Sequence, residues 1–134
     1  MNKRNLVFLA ICGLLLVSVS LQAHHSLAGV YDMKGDKEVA GAVKSVKFVN
    51  PHGSLTVTAK DANGKEVDWV LTLGSATGLA SKGVGITGPN ALHVGDQIKV
   101  KFLPAINGAP LGFLKTVIYP DGHAIQISTG SPTD

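Results

Sequence analysis

The sequence predicts an all-β protein: a small five-stranded barrel of the oligonucleotide- and oligosaccharide-binding (OB) type, with one short helix between strands three and four. Three observations carry this expectation. From Lys37 onwards, short segments of alternating apolar and polar residues recur between Gly, Asn, Pro and Asp clusters, which is the period of half-buried strands. Helix signals gather at one place in this stretch, after Ser75. The resulting order, three strands, a helix and two strands, is that of a five-stranded Greek-key barrel.

The chain opens with a different kind of segment. Lys3 and Arg4 precede an apolar run from Leu6 to Val17, and Ser18 to Ala23 then supply small residues, the order of a secretory signal peptide. The run is shorter than the roughly 20 apolar residues that a membrane-spanning helix needs. Residues 1–23 are therefore expected to be cleaved, leaving a periplasmic or secreted protein without a membrane anchor. Cleavage after Ser20 is the alternative, because Leu21 stands where a small residue is preferred. Cys12 lies inside the apolar run behind Ile11, so the mature chain has no thiol and its core must hold it without disulfides. One domain is expected over 24–127, with a disordered tail over 128–134.

Each strand can be justified in turn. Val39, Gly41 and Val43 keep one phase of alternation, whereas Val46 and Phe48 keep the other. The slip at Lys44 and Ser45 predicts a β-bulge in a long, coiled first strand. Leu55, Val57 and Ala59 alternate with Thr56, Thr58 and Lys60, Asp61 to Lys65 turn the chain, and Val67, Trp69, Leu71 and Leu73 continue the pattern. That is a hairpin with one face buried. Ser75 can cap a helix running through Leu79 and Ala80 to Lys82, with Gly83 as its stop. Ile98, Val100 and Phe102 alternate with Gln97, Lys99 and Lys101 in a fourth strand. Pro104 to Pro110 form a loop, Leu111 to Tyr119 a fifth strand, and Pro120 to His123 a turn into a short segment ending at Ile127.

Charge narrows the partners. The formal net charge is +3, but Lys3 and Arg4 leave with the signal, so ten lysines then face nine carboxylates. A nucleic-acid binder is expected to carry a strongly basic face with stacking aromatics. This chain is nearly neutral once processed, and nucleic acid is not an expected partner.

The five histidines, His24, His25, His52, His93 and His123, all lie beyond the signal. If cleavage follows Ala23, the freed amine of His24 and its imidazole Nδ1 form a chelate for a borderline or soft transition metal. Copper is the natural occupant. The terminal amine titrates at ~8 and an imidazole at ~6.5, so both can yield protons to a metal at neutral pH. His25 offers a rival geometry that includes the intervening amide nitrogen. A remote ligand is His52 in Asn50-Pro51-His52-Gly53, a rigid turn that an OB barrel places at a rim. The expected metal ligands are therefore His24, His25 and His52. The bland alternative is an exposed start and a self-bonded turn. His93 and His123 stand in turns and are expected to be solvated; Trp69, on the apolar face of its strand, is expected to pack in the core.

Other chemistry is not signalled. Gly83 to Gly88 (GVGITG) match the dinucleotide-loop spacing, but that loop must follow a strand and open a helix, whereas this one follows a helix and meets Pro89. No Walker loop, nucleophile elbow, paired catalytic carboxylates or Cys/His zinc spacing occurs, so an enzyme is not expected. The competing functional expectation is a metal-free envelope module that binds a saccharide, peptide or protein through the face around Trp69 and the Pro104 to Pro110 loop.

His24-His25-Ser26, Tyr31-Asp32, the Gly41-Ala42-Val43 strand and the Asn50-Pro51-His52 turn together resemble an uncharacterised family of exported bacterial proteins, a domain of unknown function. Trp69, Leu79, Gly83, Leu92, Gly95-Asp96, Pro104-Ala105, Gly108 and Asp121-Gly122 fit the same pattern. Thr72, Lys82 and Val84 depart from it. The resemblance implies export and a small β-fold, assigns no activity, and makes His24, His25 and His52 the most family-like polar positions.

Overall fold

The computed structural model describes residues 25–130. The expected signal peptide, His24 and the last four residues lie outside them. In chain order the elements are α1 (His25–Val30), β1 (Lys37–Lys47), β2 (Ser54–Lys60), β3 (Glu66–Thr72), α2 (Ala76–Ala80), β4 (Gln97–Pro104), β5 (Leu111–Ile118) and β6 (Ala124–Gln126). Among the described residues, no helix is long and apolar enough to cross a membrane.

The first strand serves both halves of the barrel. Its later part pairs antiparallel with β2, from Ala42 opposite Thr58 to Lys47 opposite Ser54, and its earlier part pairs with β4, from Lys37 opposite Phe102 to Ala42 opposite Gln97. β2 pairs with β3 and β4 with β5, both antiparallel; Val70 to Thr72 of β3 then pair in parallel with Leu111 to Phe113 of β5 and close the ring. The ring order β1-β2-β3-β5-β4, with the helix after the third strand, is the expected OB arrangement. β6 adds a sixth strand that pairs with β5 outside the ring.

Two devices let β1 bend far enough to do this. The register slips between Val43 and Ser45, where the phase of the sequence changes, and a bulge there increases local twist. Gly41 faces the β2 backbone so closely that a Cβ would lie 2.1 Å from the Thr58 carbonyl oxygen. Glycine is required where two strands approach in this way.

Alternation places Leu55, Val57, Leu71, Val100 and Phe102 inside, each fully buried, and Leu79 of α2 with Val84 and Leu92 of the following loop plug the barrel. α2 forms where its cap predicts: Ser75 Oγ accepts the Gly78 N–H at 3.1 Å, and Gly83 leaves the helix at φ +71°. The Gly83 to Gly88 stretch opens no helix. It folds back, with Asn90 N–H donating to Gly83 O and Leu92 N–H to Gly85 O.

Three features differ from the sequence expectation. α1 precedes the barrel and is too short to show a helical period. Val67 and Trp69 are half-buried, because β5 reaches only the last three residues of β3 and leaves its first half beyond the closed ring. Ser128 is buried, with its Oγ on the Leu114 carbonyl at 3.0 Å; Ile127 and Ser128 N–H both donate to the carbonyl of Lys115, beside a register shift in β5.

Candidate functional site

His52 is exposed on the loop between β1 and β2, after a cis Asn50–Pro51 peptide. The loop is stitched to the far end of β3. Gly53 N–H donates to Gly74 O at 3.2 Å, Leu73 N–H to Gly53 O at 3.0 Å, and Ala76 N–H to Val49 O at 3.3 Å. Gly53 itself is buried against the chain, and a Cβ there would lie 2.4 Å from the Lys47 carbonyl oxygen. The imidazole therefore stands one residue before a point where the backbone is held on both sides.

The amino-terminal segment reaches the same end of β3 by another route. Ile106 N–H donates to Val30 O at 2.9 Å, Tyr31 bridges Ala105, and Asp32 N–H donates to Pro104 O at 2.9 Å. Tyr31 then leans on Phe113, with ring centroids 5.8 Å apart, and its hydroxyl lies 2.9 Å from Thr72 Oγ1. Thr72 is the strand partner of Ser54, two residues past His52. His25 opens α1, one helix length upstream of this anchor. The structure thus ties the His52 loop and the segment following α1 to one strand end. Among the described residues, no group of three or more His, Cys, Asp or Glu side chains could hold a metal ion.

The other two histidines are exposed, as expected, but their rings are bonded within the fold. His93 Nε2 lies 2.9 Å from the Ile86 carbonyl oxygen and Nδ1 lies 3.6 Å from Asp96. His123 stacks on Tyr119 with centroids 4.3 Å apart and planes 1° from parallel. Asn90, which carried no sequence signal, meets both members of this pair.

Trp69 packs against Phe102 at a centroid distance of 5.2 Å, and Lys37 Nζ sits 4.4 Å over its ring. Core contact and a cation thus both crowd the indole. On the outer surface, the bulge aims Lys44 at Asp68, whose other oxygen accepts the Thr58 hydroxyl at 2.6 Å. The Lys44 bond, then the Thr58 bond, hold the Asp68 carboxyl below the usual carboxylate range. Around the β4–β5 loop, Val30, Val70, Ile106 and Leu111 leave apolar surface exposed.

These features define a small closed β-barrel of OB connectivity, with a histidine-bearing loop and the start of the domain fastened to the same strand end. The chain belongs to a family of unknown function (DUF6152), whose family model matches residues 12–114. No curated protein and no solved structure matches it.

Proposed function

We propose that the chain is an exported, periplasmic metal-binding protein that takes copper through His24 and His25 at the processed amino terminus and His52 on the adjoining loop. The observation that carries this reading is the attachment of the Gly53 loop and of Tyr31 to the same end of β3, combined with paired histidines at the expected cleavage point. The donor chemistry fits: a primary amine and neutral imidazoles are nitrogen ligands suited to copper. His24 would supply amine and ring, His25 its ring or amide, and His52 a remote nitrogen. Bound copper would supply a redox-capable Lewis acid at the barrel rim. The protein's part is to hold the donors and keep them solvent-accessible, as His52 is.

The test is Cu(II) titration of the correctly processed protein beside His24→Ala, His52→Ala and a variant with one extra residue before His24. Affinity should fall in all three. Equal affinity across the set rejects the terminal chelate. Mass spectrometry of the mature protein fixes where its amino terminus lies.

A second reading, a metal-free envelope module, draws on the exposure of Ile106 (61%) and the neighbouring Leu111 (37%) in and after the Pro104–Pro110 loop. Saturable binding of an envelope peptide or glycan that is lost in Ile106→Asp, with copper affinity weak throughout, would favour it.

A further inference from the structure

β3 is paired along the whole of one edge and only half of the other. Its β2 side is matched throughout, from Glu66 opposite Lys60 to Thr72 opposite Ser54. On the other side β5 meets Val70 to Thr72, and among the described residues no strand lies beside Glu66 to Trp69. The native ladder stops for a chemical reason. Val70 N–H donates to Pro110 O at 3.0 Å, and the next rung of a parallel ladder would run from the N–H of residue 110 to the Asp68 carbonyl; proline has no N–H. Backbone groups change sides at every residue of a strand, so Asp68 and Glu66 direct theirs to the same side as Val70. Two N–H and two C=O groups therefore line a bare edge.

The side chains along this edge are of two kinds. Val67 and Trp69 turn towards the core yet remain half-buried. Glu66 and Asp68 lie on the outer face. Asp68 is held by Lys44 and Thr58, whereas Glu66 is exposed and has no ion pair among the described residues. Lys44 feels Asp68 first and Glu66 more weakly, so two carboxylates share one ammonium. Just past the edge, Val70 and Leu111 are 40% and 37% exposed.

We propose that Glu66 to Trp69 form a docking edge for an extended peptide of a partner protein, which adds to β3 as a further strand. Its basic side chains would lie opposite Glu66 and Asp68, and its apolar side chains against Val67 and Trp69. An open ladder edge takes up a strand through main-chain hydrogen bonds, and alternate side chains decide which strand. A second copy of this chain fits poorly. In a two-fold antiparallel pair of these edges that matches the bare groups, Glu66 faces Asp68 or each faces its own copy, and like charges directly opposite are destabilising. Charge thus selects a foreign strand with cations on that face. The other open edges lack this combination: β6 has three residues, and at the start of β1, which β2 reaches only from Ala42, Glu38 is already held by Lys99 and Lys101. The inference uses no ligand of the proposed copper site and stands apart from that reading.

The test uses a short capped peptide of alternating lysine and valine, titrated into the full mature protein and followed by NMR and amide hydrogen exchange. Binding should saturate with shifts centred on Glu66 to Trp69, and the Glu66 and Asp68 amides should exchange on the order of tenfold more slowly. N-methylation of one alternate set of peptide amides should weaken binding on the order of tenfold. Methylation of the other set, which faces away from β3, should leave it unchanged. A glutamate and valine peptide should bind about fivefold more weakly or worse, and Glu66→Lys, a change at an exposed side chain, should narrow that gap. Absence of saturable binding, shifts centred elsewhere, the same response to both methylated sets, or a charge preference unmoved by Glu66→Lys would each overturn the proposal. Protection of the same amides that rises with protein concentration alone would also overturn it, by assigning the edge to a second copy.

Discussion

The Tyr31 hydroxyl lies 2.9 Å from Thr72 Oγ1 and so joins the segment that follows α1 to the last residue of β3. Tyr31→Phe keeps the ring against Phe113 and removes this one bond. The expected cost is about 1 kcal/mol, the net worth of a typical hydrogen bond, measured by chemical denaturation. Exchange of the Tyr31 amide, which donates to Leu27 O, should quicken while amides of the β1–β4 ladder stay protected.

Gly112 sits under the Phe102 ring, where a Cβ would lie 2.2 Å from the ring edge and 2.9 Å from Leu71 Cδ2. Phe102 and Leu71 are both fully buried, so neither can step aside freely. Gly112→Ala is expected to cost about 1–3 kcal/mol by overpacking, seen as a lower denaturation midpoint with an unchanged slope.

Leu71 and Ile106 should respond in opposite ways to truncation. Leu71 is 0% exposed, and Leu71→Ala should cost about 2–5 kcal/mol through lost burial and a cavity. Ile106 is 61% exposed, and Ile106→Ser should stay within about 0.5 kcal/mol. A large loss at Ile106, measured in dilute solution, would contradict its exposed position.

Alkaline stability should depend on Tyr119. Its phenol is pushed up to about 12 in the fold, whereas an unfolded tyrosine releases its proton at about 10. Between these values the unfolded chain binds fewer protons, so stability falls as pH rises from about 10 to about 12 and is unaffected below. Denaturation at pH values on either side of about 10 should show this decline, and Tyr119→Phe should flatten it.

Copper affinity, if it resides in the amine and imidazoles, must weaken with acid, because every donor has to be free of its proton. More than one donor titrates, so the apparent affinity should drop on the order of tenfold or more per pH unit on the acid side. Isothermal titration in buffers of different ionisation heat would also report the released protons.

Much of the barrel was legible from alternation alone. The phase slip at Lys44 and Ser45 marked the bulge, Asp61 to Lys65 marked the hairpin, and Ser75 with Gly83 marked both ends of α2. Each is a local signal, encoded within a few residues of where it acts. The parallel pairing of Val70 with Leu111 joins distant segments and followed only from the fold type. Because that pairing covers just the end of β3, Trp69 stands half-buried beside Lys37, which its strand phase could not reveal. The histidines were readable as residue types, whereas the tie of the His52 loop and of the segment after α1 to the end of β3 depends on Gly53 and Tyr31, whose roles are tertiary. Asn90 had no signal at all, because its partners come from Lys82, Tyr119 and His123 and meet it only when the chain is folded.

The two backbone hydrogen bonds, from Ile106 N–H to Val30 O and from Asp32 N–H to Pro104 O, act as a short leash on the segment that follows α1. A six-residue helix such as α1 is only ~9 Å long. In the proposed copper site, an ion held at His25 would therefore ride close to the rim, not at the end of a long tether. On that proposal, a protein exchanging the ion would have to approach the barrel itself, beside the exposed Ile106.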